Sequence, residues 1–386
     1  MNSSAPVIVF GDGSSSVFLI QQLLKSGDRI LWVEGSGSKL LPVMPQVKSE
    51  RAIGLLADAA DSAGIAHSRR IEKGFCHRVF RSKAFKLPLW KKALEQTWTP
   101  ELLQLGDQEL RVEGLDPIRI EESLRTSFEG NPRVTRVQNA PVIEFEVHEA
   151  GGKIQLANGL LTEFKQFYFC DDLSALKGFP KLQTLFKNQM KGIRPASRVG
   201  ALQVVFHHSA PLKQFLNRGL VIPMNRESGE TFDRNVLGYF VEPTRSVWTV
   251  YLQPSECEEN HEIMKKLRKL KQSLNRAFES PEFLPESRAD FVATVEREQV
   301  RFEEHALWTE GSLEQSASNP DFTLFSDALG LNAALDRLAL HFGIAPPGFE
   351  LEGETSRDET TLELDAIELP AHVAAAADTP ELQPST

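Results

Sequence analysis

VIVFGDGSSSVFLIQQLLKSGDRILWVE, from Val7 to Glu34, is the stretch whose reading decides the fold. Val7 to Phe10 is apolar and mostly β-branched, which suits a strand buried on both faces. Gly11-Asp12-Gly13-Ser14-Ser15-Ser16 follows without a spacer. Val17, Leu19, Ile20, Leu23 and Leu24 then recur at helical spacing up to Lys25, Gly27 stops the helix, and Ile30 to Val33 form a second strand ending on Glu34. Strand, glycine turn, helix, strand and acid, in that order, make the geometry that cradles a dinucleotide pyrophosphate. Gly11 permits the tight turn, and Gly13 lets the backbone approach the phosphates. The helix N-terminus offers N–H groups and a partial positive charge, while Glu34 stands where an acid accepts hydrogen bonds from a ribose 2′-hydroxyl. Ser16 takes the place of the usual third glycine and is small enough to keep helix and strand close. Read alone, the unit fits FAD and NAD(P) equally, and a βαβ unit that binds nothing is the plain alternative.

With 386 residues the chain has room for two or three domains and a sizeable core. Its 41% hydrophobic and 25% charged residues are those of a soluble globular protein, and no apolar run is long enough to span a bilayer. The sequence enters a strand at once, with no basic n-region or cleavage site, so a cytoplasmic location is expected. Cys76, Cys170 and Cys257 lie far apart without a CxxC, which predicts reduced thiols rather than a disulfide framework or a metal site.

The net charge of −10 is unevenly spread. From Glu350 onward ten acids face one base, Arg357, so this segment alone carries −9 and the rest is near neutral. Pro370, Pro380, Pro384 and the run Ala374 to Ala377 complete the composition of a mostly disordered acidic tail. Leu362, Leu364, Ile367 and Leu369 form an apolar cluster among those acids, a pattern suited to a segment of 350–370 that docks on a protein partner. Between Arg69 and Lys92, nine bases face one acid, giving +8, with Phe75, Phe80, Phe85 and Trp90 every five residues. Three readings of this segment stand open: a solvated face with buried aromatics, a contact with an anionic membrane surface or ligand, or a dock for the chain's own acidic tail. Nucleic acid is not expected, because one patch on a near-neutral body lacks a broad electrostatic footprint.

The middle of the chain reads as strands. RVTRV, PVIEFEVHEAGGKIQLANG and FKQFYFCDD succeed one another between Asn131 and Asp172. Ala150-Gly151-Gly152 is read as a hairpin turn and Asn158-Gly159 as a second turn. Further strands run from Arg198 to Leu252, an amphipathic helix from Glu258 to Glu279 and another strand from Phe291 to Phe302. In FTLFSDALGLNAALDRLALHF, a short strand at Thr323 to Phe325 gives way to Ser326-Asp327 and then a helix. An acid at such a switch reaches a ligand's hydroxyls or simply caps the helix. There is no GxSxG, Walker A or HExxH motif. His207-His208 is the lone histidine pair, and neighbours on a strand face opposite ways, so a shared metal is not expected. Trp248 and Tyr251 suit either a pocket wall or the core.

Taken together, these segments resemble the flavoprotein superfamily of amine oxidases, phytoene desaturases and protoporphyrinogen oxidases, over residues 5–342. Gly11 to Glu34 resembles the N-terminal FAD motif. PVIEFEV, AGGKIQLANG and FKQFYFC resemble the block that supplies a backbone contact to the adenine, which the resemblance puts at Val142. Ser326-Asp327 stands at the family's Gly-Asp pair, so Asp327 would meet the ribityl or phosphate oxygens. After its acid the family has an Arg and a Gly-Gly turn; here Lys39 supplies the positive charge, and Leu41-Pro42 stands where the glycines are wanted.

The resemblance implies an α/β protein: a Rossmann-like FAD/NAD(P)-binding domain with an inserted mixed-sheet α+β substrate-type domain. The expected boundaries are 1–50, 115–185 and 300–345 for the FAD-binding domain, 51–114 and 186–299 for the substrate-type domain, and 346–386 for the tail. The cofactor set is Gly11, Gly13, Ser14, Ser15, Ser16, Glu34, Lys39, Val142, Ser326 and Asp327, and no catalytic side chain is assigned. Two functions remain open: an FAD-dependent oxidoreductase with a lipophilic or amine-like small-molecule substrate, and a non-catalytic interaction protein on the same fold.

Overall fold

A computed structural model of the chain describes residues 5–34, 47, 49–74, 76–80, 83–86, 109–148, 151–170, 198–208, 211, 216, 219–224, 235–252, 256, 259–278, 288–298, 322–324, 331–351 and 362–363. Along the chain run β1 (Val7–Phe10), α1 (Ser14–Lys25), β2 (Ile30–Val33), α2 (Glu50–Ser62), β3 (Arg70–Gly74), β4 (His77–Phe80), β5 (Lys83–Lys86) and β6 (Glu109–Arg111). Then come α3 (Pro117–Phe128), β7 (Val134–Val137), β8 (Val142–His148), β9 (Gly151–Leu156), β10 (Leu161–Phe164) and β11 (Gln166–Phe169). The remainder comprises β12 (Arg198–His207), β13 (Leu220–Pro223), β14 (Asn235–Glu242), β15 (Arg245–Leu252), α4 (Asn260–Phe278), β16 (Arg288–Glu298), β17 (Phe322–Leu324), α5 (Leu331–His341), β18 (Glu350–Leu351) and β19 (Leu362–Glu363).

Five short strands make an all-parallel sheet in the order β17-β11-β1-β2-β7. β1 and β2 are buried at every position because both faces of this sheet are covered. One face, with Val7, Val9, Trp32, Tyr168 and Cys170, shares a core with α1, α2, α5 and the end of α3. The other carries Phe10, Phe167 and Phe169, and the meander β8-β9-β10 sends Phe145 and Phe164 to within 4.8 and 5.9 Å of the Phe167 ring. Chain order reverses between β1 and β11, so the crevice beyond their carboxyl ends is a topological switch point, where ligands of open α/β sheets bind.

The second layer is an eight-stranded mixed sheet, β16-β12-β15-β14-β13-β4-β5-β19, with α4 on one face. Ile263, Leu267, Leu270, Leu274 and Phe278 of α4 meet Leu202, Val204, Phe206, Val236, Trp248 and Val250. Fold class therefore agrees with the sequence reading: a Rossmann-type parallel sheet joined to a mixed-sheet α+β layer.

Several boundaries differ from expectation. α1 begins at Ser14 rather than Val17, because the three serines form its first turn. The hairpin expected at Ala150-Gly151-Gly152 is present, β8 and β9 pairing antiparallel and closing at His148 opposite Gly151, but Gly151 and Gly152 already belong to β9: a Cβ on the first would meet the Phe164 carbonyl oxygen and one on the second the Phe164 ring. Asn158-Gly159 is a turn, with Gly159 at φ +86°. Trp248 is core, not a pocket wall, and its indole N–H donates to Ser246 Oγ at 2.8 Å. Cys76 and Cys170 are buried, while Cys257 and the side chain of Tyr251 lie outside the described residues. No helix among the described residues is long and apolar enough to cross a membrane.

Gly238 of β14 stands opposite Trp248 in register, and a Cβ there would overlap the indole. Gly238→Ala is expected to lower unfolding free energy by about 1–3 kcal/mol, read as a lower urea midpoint with unchanged slope.

Candidate functional site

The site is built at the carboxyl edge of the parallel sheet. β1 runs into Gly11, which adopts φ +127°, a conformation that costs a side chain dearly. Gly13 is the N-cap of α1 in extended conformation and, having no side chain, makes no cap hydrogen bond of its own. Ser16 Oγ turns back to donate to the Gly13 carbonyl at 2.6 Å, and Ser15 Oγ donates at 3.5 Å to Cys170 O, just past β11. All three serines are buried. The glycine turn thus sits between β1 and β11, at the switch point.

A second set of residues braces this turn. The Trp32 indole N–H donates to Gly11 O at 2.7 Å. Arg125, on α3, donates through Nη1 to Asp12 Oδ1 at 2.8 Å, through Nη2 to Asp12 O at 2.5 Å and through Nε to Glu121 Oε1 at 2.9 Å. Glu121 Oε2 accepts from Ser14 Oγ at 2.5 Å. The Arg125 guanidinium also lies 5.3 Å from the Trp32 ring centroid, within cation–π range. Burial works against the guanidinium charge, but Glu121 and Asp12 outweigh it and raise its pKa further.

Glu34 directly follows β2, with its N–H donating to Val137 O at 3.0 Å. Its Oε1 takes both Nε and Nη2 of Arg136, one position before the end of β7. Arg136 covers Trp32 as well, at 4.9 Å. Both of these contacts fall on Oε1.

α3 carries this network to the second sheet. Glu122 accepts a two-pronged pair of hydrogen bonds from Arg245 of β15, at 3.0 and 2.8 Å. Asp116 caps α3, accepting from the Ile118 and Arg119 N–H groups at 2.8 and 3.1 Å. Its burial raises the carboxyl to about 6 despite those hydrogen bonds. Tyr239 of β14 is buried beside it, and its phenol pKa is pushed well above the usual value by that burial.

Of the sequence-derived set, the structure brings Gly11, Gly13, Ser14, Ser15, Ser16 and Glu34 to one edge. Val142 opens β8 opposite Leu156, beside a register irregularity. Lys39, Ser326 and Asp327 lie outside the described residues, although β17 ends two residues before Ser326 and runs parallel beside β11. His207 is exposed and His208 buried, its Nε2 2.7 Å from Ser246 Oγ, so the pair points apart as expected. No cluster of three metal-binding side chains occurs among the described residues. Asp12, Trp32, Glu121, Arg125 and Arg136 were not singled out from sequence; the signal available was the Asp-Pro start of α3 and the Glu121–Arg125 spacing of four.

No family model matches the sequence, and no curated protein is significantly similar to it. Solved structures are similar in fold. "Putative protoporphyrinogen oxidase from Exiguobacterium sp. 255-15" matches over 89% of this chain and 98% of its own, at 11% identity and TM-score 0.50. The halogenase PltM matches over 88% of this chain and 68% of its own, at 10% identity and TM-score 0.48. PqsL, a probable FAD-dependent monooxygenase from Pseudomonas aeruginosa, matches over 89% and 87%, at 11% identity and TM-score 0.45. The likeness to the putative protoporphyrinogen oxidase, over most of this chain and nearly all of that one, is one of fold.

Arg125→Met would leave Asp12 and Glu121 without their cation, and a loss of about 3 kcal/mol in denaturant unfolding is expected. Asp116 gives a pH signature. Its carboxyl holds a proton more tightly folded than unfolded, so it stabilises at low pH, and that contribution is lost as pH rises from about 4 to the folded value of about 6. The loss approaches about 3 kcal/mol. Asp116→Asn is expected to flatten the stability profile across that window, measured by urea titration at each pH.

Proposed function

We propose that this chain is a divergent FAD-dependent oxidoreductase of the amine oxidase, phytoene desaturase and protoporphyrinogen oxidase-like superfamily, acting on a lipophilic or amine-like substrate. The observation that carries the reading is the first turn of α1, which opens at Gly13 and is set at the switch point with Glu34 directly after the next strand. Those residues fit a dinucleotide. Gly11, Gly13 and the backbone N–H groups of Ser14, Ser15 and Ser16 would hold the diphosphate, with Lys39 as a further cation. Glu34 would hold the ribose, and Val142 would meet the adenine side. Ser326 and Asp327 would approach the ribityl or phosphate oxygens. Bound there, FAD supplies the two-electron acceptor for substrate oxidation. This chain's own contribution is orientation: Trp32 and Arg125 fix the turn, and Glu122–Arg245 fixes the mixed sheet against it. In this reading 1–50, 115–185 and 300–345 act as the nucleotide domain, 51–114 and 186–299 as the substrate domain, and the protein is cytoplasmic.

A second reading, a non-catalytic interaction protein, has its own observation. Glu121 receives the Ser14 hydroxyl and Asp12 stands in the turn, so two carboxylates already face the positive end of α1. Leu41-Pro42 also removes one N–H from the stretch after Glu34.

Absorbance of the purified protein separates the two. The first reading expects a yellow protein whose flavin is released on denaturation as FAD. Gly11→Ala, strained at φ +127°, should weaken FAD binding by about tenfold or more with circular dichroism unchanged. A colourless protein that takes up no added FAD would leave the second reading.

A further inference from the structure

The basic segment after Arg69 has a structural role that the site does not absorb. It forms β3, β4 and β5, and β5 would be the open edge of the eight-stranded sheet if β19 were absent. An edge strand presents unpaired N–H and C=O groups to any extended chain that reaches it. Here the acidic tail reaches it: Leu362 pairs antiparallel with Ala84, and Glu363 stands opposite Lys83 in register. The neighbouring basic strand is met the same way. Glu350 and Leu351 pair parallel with Arg70 and Ile71, and Glu350 N–H donates to Arg69 O at 3.2 Å.

The tail is fastened where it leaves the body. Phe342, Ile344 and Phe349 pack against the core of the parallel sheet, and the Phe349 ring lies 5.9 Å from that of His67. Ala345 O sits so close to Gly54 of α2 that a Cβ there would meet it at 2.7 Å. From β18 to β19 the chain has residues 352–361 in which to cross, a reach of up to about 35 Å. A tether of this length holds its end at an effective concentration of about millimolar, so even a two-residue strand stays paired without being hard to displace. Opposite charge adds to it: the segment from Arg69 to Lys92 carries +8 and the tail −9.

We propose that β5 is a docking edge for an extended acidic peptide of a partner protein, and that the tail around Leu362–Glu363 occupies this edge as an internal mask. The occupant is a peptide because the pairing uses main-chain groups in strand register, which a lipid headgroup lacks. The mask is weakened by salt and is released when a competing acidic strand is present at sufficient concentration.

The test uses the full chain and its double variant Leu362→Pro/Glu363→Lys, which removes a strand N–H and sets like charges opposite Lys83. The probe is a fluorescent peptide with the sequence of residues 359–370, ETTLELDAIELP, followed by anisotropy at low salt. The variant should bind it at least about tenfold more tightly than the unaltered chain, and further substitution of Lys83→Glu and Lys86→Glu should abolish binding. Hydrogen exchange on the unaltered chain provides a second measurement, with the amides of 83–86 slower to exchange at low salt than at high salt. Equal affinity in both chains, no binding by the variant, or salt-independent exchange at 83–86 would each overturn the proposal. Vesicles of phosphatidylcholine with phosphatidylserine form the last arm, and a variant that binds them but not the peptide would overturn the peptide assignment.

Discussion

A single guanidinium, that of Arg125, holds the centre of this molecule. It binds the side chain and the carbonyl of Asp12, the carboxylate of Glu121 and the face of Trp32. Asp12 lies between the two glycines that set the turn, and Trp32 holds the carbonyl of the first. Two carboxylates held near one another in a partly buried place repel; the cation between them turns that repulsion into a fixed geometry. Because Arg125 sits on α3, the shape of the glycine turn is tied to the pose of that helix. Glu122, on the same helix, is held by Arg245 of the mixed sheet, so the two sheets share one brace.

Much of the fold was legible because it is local. β1, α1 and β2 announce themselves within twenty-eight residues, since a buried parallel strand must be apolar throughout and the turn between strand and helix must be glycine. Apolar periodicity is silent over the three serines that form the first turn of α1, so it marks the helix only from Val17. α2 and α3 are less evident from periodicity, although Asp116-Pro117 carries a start signal and ERAIGLLADAADS is rich in helix formers. Two glycines between alternating runs mean a turn locally, and β8 and β9 do form a hairpin, with the glycines themselves just past it. What decides their place is the approach of β10: a Cβ on Gly151 would meet the Phe164 carbonyl, and one on Gly152 would meet the Phe164 ring and the Glu146 carbonyl.

The candidate site divides along the same line. Gly11, Gly13 and Glu34 were accessible because their roles follow from backbone geometry at fixed spacing. Arg125 and Arg136 approach from more than ninety residues away, and nothing in a local window assigns a charged residue on a distant helix or strand to a glycine turn. Conversely, the opposite charges of the basic segment and the tail were visible in composition, while the register that joins them is a property of the folded sheet.

The order of strands in the parallel sheet has a consequence for how the molecule is made. Its neighbours are β17, β11, β1, β2 and β7, so a strand at residue 322 lies next but one to a strand at residue 7. During synthesis the βαβ unit emerges first, yet the flank of β1 opposite β2 stays open until β11 arrives, and the edge of β11 stays open until β17 does. Between the arrival of β11 and that of β17, strands β12 to β16 of the eight-stranded sheet are produced, β4 and β5 having preceded both. The crevice at the switch point therefore takes shape only once β11 has joined β1, well after the glycine turn has been made, and the outer edge of β11 is covered later still, when β17 pairs with it.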